Sequence, residues 1–347
     1  MFHGIDLSSD TATKPTEAMK KAMFEAEVGD EQKNEDPTTI KLENMISDML
    51  GFSDAVFLPS ATMANQIAIS ALTHPGEELI AADSSHVLNA ESGGPAIHAH
   101  VMSRPITTHD GTFSASALEE AFRGKSIPRR TYSSLLSIEN TTNLGGGFPW
   151  PKLQLKSILE RAKKLNLKTH MDGARFFNAC IATQERPSEI AKGFDMISIC
   201  LSKGLGCPVG ALLIFKPSYY DKVIKLKHLM GGAMRQSGIL AAAGVYALQH
   251  HIDRLEEDHD NAKILAMELS CLAPHIEVKN VIPSTNIVLF EWKNQKYNAD
   301  EFHTRCQQNG LRFSHMSHNL FRAVTHLNIS STDIKQAMEI INGHFKI

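Results

Sequence analysis

Between residues 55 and 215 of this 347-residue chain, short apolar runs alternate with stretches of helical spacing. Few architectures accept that pattern. The runs Ala55–Leu58, Glu78–Ala82, Ser134–Glu139, Leu167–Asp172, Met196–Leu201 and Val209–Phe215 read as strands. Between two of them, Pro151–Asn166 carries Leu153, Leu155, Ile158, Leu159 and Ala162 at helical spacing. Strand and helix in alternation predict βαβ units, hence an α/β fold with a doubly wound, mostly parallel sheet. Two earlier helices have legible ends. One begins near Pro15 and stops at Gly29; the other has Asp36 as N-cap, Pro37 in its first position and Gly51 after it.

From about Met234 to Asp258 a long helix is expected to leave the sheet. Beyond it the pattern becomes helix, strand (Asn286–Trp292), helix (Ala299–Asn309), strand (Leu320–Val324) and a final helix. The division expected is a large domain over residues 1–250, with an N-terminal arm, and a small α+β domain over residues 251–347.

Composition narrows the function classes. Net charge is -3 with no basic block, which excludes the concentrated positive face that nucleic acid or an anionic membrane requires. No segment approaches the roughly 20 apolar residues of a membrane span, and no basic run followed by an apolar stretch marks a leader. Five cysteines, an odd number without a C-x-x-C pair, read as reduced thiols of a cytoplasmic chain. The pairs His98/His100, His250/His251 and His315/His318 invite a metal reading, but no carboxylate or cysteine near them completes a tetrahedral set. No metal site is expected.

Ligands of open α/β sheets sit where the strands end. Three strand ends stand out: His170-Met171-Asp172-Gly173-Ala174-Arg175, then Ser202-Lys203-Gly204, and Pro59-Ser60-Ala61-Thr62, which opens the helix Thr62–Thr73. Each alone has a plain structural reading as a cap, a solvated loop or a turn. Together they meet the needs of pyridoxal chemistry. That chemistry takes a lysine to form an imine with the cofactor aldehyde, a carboxylate beside the ring nitrogen, and helix-start N–H groups for the phosphate.

The segments DLSSDTATKPT, AEVGDEQKNEDPT, FLPSATMANQ, SLLSIENTTN, HMDGARFFNA, CLSKGLGCPVG, GGAMRQSGILAAAG, LEEDHDNA and FRAVTHLN cover nearly the whole chain. In them the sequence resembles the L-threonine aldolase and aromatic amino acid β-eliminating lyase family. The resemblance implies a pyridoxal-phosphate enzyme of fold type I, a dimer of dimers with shared active sites. It implies retro-aldol cleavage of L-threonine, L-allo-threonine or a related β-hydroxy-α-amino acid to glycine and an aldehyde. A β-eliminating or racemase-like activity on another small amino acid is the alternative.

Residue by residue, the resemblance makes Lys203 the Schiff-base lysine and Asp172 the partner of the pyridine nitrogen. His86 would stack on the ring and take part in proton transfer. Ala61, Thr62 and Ser202 would hold the phosphate, with Arg235 reaching it from a neighbouring subunit. Arg175 and Arg322 would bind the substrate carboxylate, with Ser9 adding a hydrogen bond. Some positions depart from the family pattern. Its arginine in DLRSDT is Ser8, its PSGT turn has Ala61, and the histidine of its ENTHN is Thr142. Where it has a histidine about eight residues upstream, Arg129 or Arg130 stands here. The cofactor machinery is kept, and the part that reads the β-substituent is altered.

Overall fold

The computed structural model describes residues 2–294 and 298–345. Its strands in chain order are β1 (Ile5–Asp6), β2 (Asp54–Leu58), β3 (Glu78–Ala82), β4 (Met102–Ile106), β5 (Ser133–Glu139), β6 (Lys168–Gly173) and β7 (Met196–Cys200). They continue with β8 (Ala211–Phe215), β9 (Ile276–Val278), β10 (Ile287–Trp292), β11 (Leu311–Arg312), β12 (Ser314–Ser317) and β13 (Leu320–Val324). Among the described residues, seven strands form one sheet in the order β2-β8-β7-β6-β5-β3-β4. Only β8 runs against its neighbours, so β2, β3, β5, β6 and β7 all end at one edge.

Helices cover both faces of this sheet, which is why β3, β7 and β8 are buried at every residue and read as unbroken apolar runs. One face packs against Leu42, Ile46, Ile158 and Ala241. The other packs against Ile67, Ala68, Leu72 and Val223. The six expected strands appear within two residues of their expected limits. The expected start at Val209 moves to Ala211, because Gly210 takes φ +113°, outside the strand region. β4 was not expected: MSRPI holds an arginine and a proline, and it lies at the sheet edge, where a missing N–H breaks no ladder.

The helix Pro37–Leu50 has the ends its sequence announces. Asp36 Oδ1 accepts the N–H of Thr39 at 2.9 Å, and Gly51 takes the left-handed conformation at φ +74°. The first helix is shorter than expected, running over Glu17–Phe24 behind a Thr16 cap. The long helix expected over 234–258 is two helices, Gly238–His250 and Leu255–Ser270. Between them buried His251 turns inward and its Nδ1 bonds the carbonyl of Leu205 at 2.8 Å. That tertiary contact breaks a pattern that is helical by spacing alone.

A second core lies on an antiparallel sheet of order β12-β13-β10-β9. Trp292 and Phe302 stack there with centroids 4.0 Å apart. Ile5 and Leu7, from the start of the chain, join this core rather than the first, with β1 pairing in parallel to β11. The arm that follows them carries Ser9 and Asp10 back to the edge where the large-sheet strands end.

Candidate active site

Asp172 stands near the end of β6, level with Glu139 of β5 and Ser198 of β7. It is buried. Its Oδ1 accepts the N–H of Ala174 at 3.1 Å and its Oδ2 accepts Asn65 Nδ2 at 2.9 Å. Asn65 comes from the helix Ala61–Leu72, and its own oxygen accepts the hydroxyl of Ser198. Three residues beyond β7, half-buried Lys203 sits in a loop fixed at both ends. Thr13 Oγ1 donates to the Lys203 carbonyl at 2.9 Å, and His251 holds Leu205.

His86 opens a short helix just after β3. Its backbone N–H donates to Glu139 Oε2 at 2.6 Å, and its Nδ1 lies 2.9 Å from Glu91 Oε1. The hydrogen bond to Glu91 raises the His86 pKa above its ordinary value, with Asp172 adding to the effect. Burial, and then the charge of Asp172, raise the pKa of Glu139. One strand register earlier, burial pulls His170 down to about 4, leaving a neutral ring bonded to Ser137 at 3.0 Å. His86, Glu91 and Asp172 present ligand atoms within 4.8 Å of one another. The amide of Asn65 points protons into both carboxylates, an arrangement that suits a hydrogen-bond network and opposes a cation.

The two arginines expected to share one task have different partners. Arg175 is buried against Asp10, with Nε–Oδ2 at 2.7 Å and Nη2–Oδ1 at 2.8 Å, leaving Nη1 near Asn143 Oδ1 at 3.3 Å. Burial opposes ionisation of Asp10, but Arg175, Lys203 and Asn286 outweigh it and hold its pKa at about 2. Arg322 is less committed. Nη1 donates to Asn143 Oδ1 at 2.7 Å, Nη2 reaches the Ser8 carbonyl at 3.3 Å, and buried Nε has no partner among the described residues. Burial, with the charge of Arg175 behind it, lowers the Arg322 pKa to about 10. Ser9 caps the short helical turn Asp10–Ala12 by accepting the N–H of Thr11.

Ser60 is the N-cap of the helix Ala61–Leu72, its Oγ accepting Met63 N–H at 3.2 Å. The N–H groups of Ala61 and Thr62 have no acceptor among the described residues, and Thr62 is exposed. Half-buried Ser202 faces the same edge after β7. Arg235 lies apart from these. It is exposed and its Nη1 sits 3.2 Å from Asp30.

Two positions singled out for the β-substituent do not face this edge. Arg129 and Arg130 are exposed in the turn before β5, at the opposite end of that strand from Glu139. Thr142 is buried, with Oγ1 accepting Phe148 N–H at 3.2 Å and its side chain wedged between Gly111 and Gly145. Gly145-Gly146-Gly147 is the turn after β5, docked on the second core through Thr285 and Asn280. Sequence reasoning assigned no role to Asp10, Asn65, Glu91, Glu139 or Asn143. Asp10, Asn65, Glu139 and Asn143 lie in the motifs DLSSDTATKPT, FLPSATMANQ and SLLSIENTTN, which is the signal they carried. Glu91, five residues after His86, gave none.

An α/β sheet with a buried aspartate, a lysine and a helix start on one edge defines a class of cofactor-dependent enzyme, and comparison with known proteins agrees. Residues 6–293 match the beta-eliminating lyase family. The chain is 36% identical over 347 residues to the probable low-specificity L-threonine aldolase 2 of Arabidopsis thaliana, covering 98% of this chain and 97% of that one. It is 42% identical over 266 residues to the low specificity L-threonine aldolase of Escherichia coli strain K12, covering 76% and 79%. A threonine aldolase structure from Leishmania major superposes with a TM-score of 0.84 at 19% identity, over 98% of this chain and 99% of that one. The fold is fold type I of the pyridoxal-phosphate enzymes. The chain belongs to the beta-eliminating lyase family, and it is a lyase.

Proposed function

We propose that this lyase uses pyridoxal 5'-phosphate to cleave L-threonine, L-allo-threonine or a related β-hydroxy-α-amino acid to glycine and an aldehyde. The observation that carries the reading is a convergence on one sheet edge. Buried Asp172, Lys203 and a helix start with two N–H groups that lack acceptors among the described residues lie together there. The residues fit the cofactor. Ala61 N–H, Thr62 and Ser202 suit its phosphate, with the helix dipole favouring an anion. Asp172, held by Asn65 and Ala174, suits the ring nitrogen, and the Lys203 amine suits the aldehyde carbon.

Bound there, pyridoxal phosphate supplies a protonated ring that stabilises negative charge at Cα. The chain supplies everything else. Arg322, whose buried Nε has no partner among the described residues, is the cation suited to the substrate carboxylate. Arg175 is held by Asp10 and acts mainly by orienting Asn143. Clamping the carboxylate would fix the orientation of the bonds at Cα and so select which of them is broken. His86 accepts the proton of the β-hydroxyl.

In this reading the enzyme is a homo-oligomer whose sites are completed by Arg235 from a neighbour, and the five free cysteines fit a cytoplasmic location. Titration with pyridoxal phosphate tests the cofactor assignment. The expected outcome is a visible absorbance band that borohydride fixes covalently, and that Lys203→Ala abolishes. A wild type that forms no such band refutes the proposal.

A further inference from the structure

Three donors converge on Glu91. His86 Nδ1 lies 2.9 Å from Oε1, Asn65 Nδ2 lies 2.7 Å from the same oxygen, and Gln66 Nε2 is bonded to Oε2. The Glu91 side chain is fully shielded, while that of His86 is 29% exposed. A carboxyl that receives three donors serves as an acceptor. In neutral His86 the proton therefore sits on Nδ1, and Nε2 keeps its lone pair. Nε2 has no hydrogen-bond partner among the described residues. The other proton of the Asn65 amide goes to Asp172, so one amide ties the carboxylate behind the imidazole to the carboxylate assigned to the ring nitrogen.

We propose that Glu91 is a positioning residue for the cleavage: it fixes His86 as the Nδ1–H tautomer, so that Nε2 accepts the β-hydroxyl proton. This rests on the aldolase reading above. In the step, the proton moves from the hydroxyl oxygen to Nε2, and the O–H electron pair becomes the second C–O bond of the aldehyde. The Cα–Cβ pair stays on Cα, where a proton completes glycine. The arrangement parallels the way a buried carboxylate orients the histidine of a hydrolytic triad. With Thr142 locked in its loop and Arg129 and Arg130 at the far end of β5, His86 is the base this chain brings to the edge.

The groups facing His86 are Glu91, Asp172 and Glu139, with Lys203 opposing them. Glu91 is the largest influence and raises the basicity of the ring. The test uses the holoenzyme and three variants, Glu91→Gln, His86→Asn and the double substitution. Glu91→Gln is expected to lower kcat/KM for L-threonine about 10²-fold. It should move the acid limb of the pH profile to lower pH, because the hydrogen bond from His86 to the Glu91 carboxylate is what raises the basicity of the ring. Cofactor affinity, read by absorbance titration, should stay unchanged. In the His86→Asn background Glu91→Gln should cause no further loss.

An unmoved acid limb, or a full additional loss in the His86→Asn background, overturns the proposal. So does a loss of cofactor affinity equal to that of Asp172→Asn, because Glu91 would then serve Asp172. Nitrogen-15 spectra of histidine-labelled wild-type holoenzyme need no variant. Above the acid limb they should show His86 protonated at Nδ1, and an Nε2–H tautomer overturns the proposal. Failure of the wild type to cleave any β-hydroxy amino acid refutes the aldolase reading itself, and the tautomer then still judges the Glu91–His86 pair.

Discussion

Arg175 and Arg322 share the oxygen of Asn143, yet their other partners give them separate work. Arg175 is neutralised inside the protein by Asp10, whereas Arg322 keeps donors for an incoming anion. Arg322→Ala is therefore expected to raise KM for the amino acid about 10- to 100-fold, the value of a charged hydrogen bond. The fold should be left intact. Asp10→Ala should instead cost about 3–5 kcal/mol of stability in urea unfolding, because it strands a buried guanidinium. The folded pKa of Asp10, about 2, lies below its ordinary 3.8. Its stabilising contribution is thus complete above pH 4 and disappears as pH falls through 2. Equal acid sensitivity of wild type and Asp10→Asn below pH 4 would contradict this. None of this division was legible in the sequence. Arg175 follows one strand pattern and Arg322 lies inside another, and only the packing of the N-terminal arm, which brings Asp10 across from the second core, tells their tasks apart.

At the scale of elements, the helix Pro37–Leu50 and β2 are joined by Glu43, whose Oε1 accepts the N–H of Phe57 at 2.8 Å. Burial raises Glu43 to about 7, against an ordinary 4.5. A carboxyl with a raised folded pKa stabilises the fold fully below its unfolded pKa and loses that contribution as pH rises through the folded one. Glu43→Gln, which keeps the acceptor, should therefore be more stable than wild type at pH 8 by on the order of 1–3 kcal/mol. The difference should vanish near pH 4. A wild type as stable as the variant at pH 8 would show that Lys227 and its neighbours compensate the charge. Elements like this helix were legible because cap, periodicity and terminator agree, as Asp36, Leu42/Ile46 and Gly51 do. β4 was not, because an exposed edge strand carries no apolar run, and the break at His251 was not, because its cause is a contact with Leu205.

At the scale of the whole molecule, Arg235 is expected to serve a site other than its own. It is exposed, and the helices on either side of it leave Leu229 77% and Ile239 48% exposed, with Phe24 at 91% on the helix Glu17–Phe24. Apolar side chains so displayed beside a cation suit a subunit interface. Mixing Lys203→Ala with Arg235→Ala subunits should restore part of the activity, since some sites then hold both native residues. No recovery after verified subunit exchange, or a stable active monomer in sedimentation, would contradict shared sites. A doubly wound, mostly parallel sheet was legible from the alternation of strand and helix patterns, whereas the order of its strands was not. The second core's claim on Ile5 and Leu7 was not, because a two-residue strand leaves no periodic trace.

The central claim is that this edge breaks the Cα–Cβ bond of a β-hydroxy amino acid. Product analysis tests it most directly. Purified protein with pyridoxal phosphate and L-threonine should release glycine and acetaldehyde in equal amounts, and Lys203→Ala should release neither. Ammonia and a keto acid in their place would make the enzyme an eliminating lyase and contradict the account.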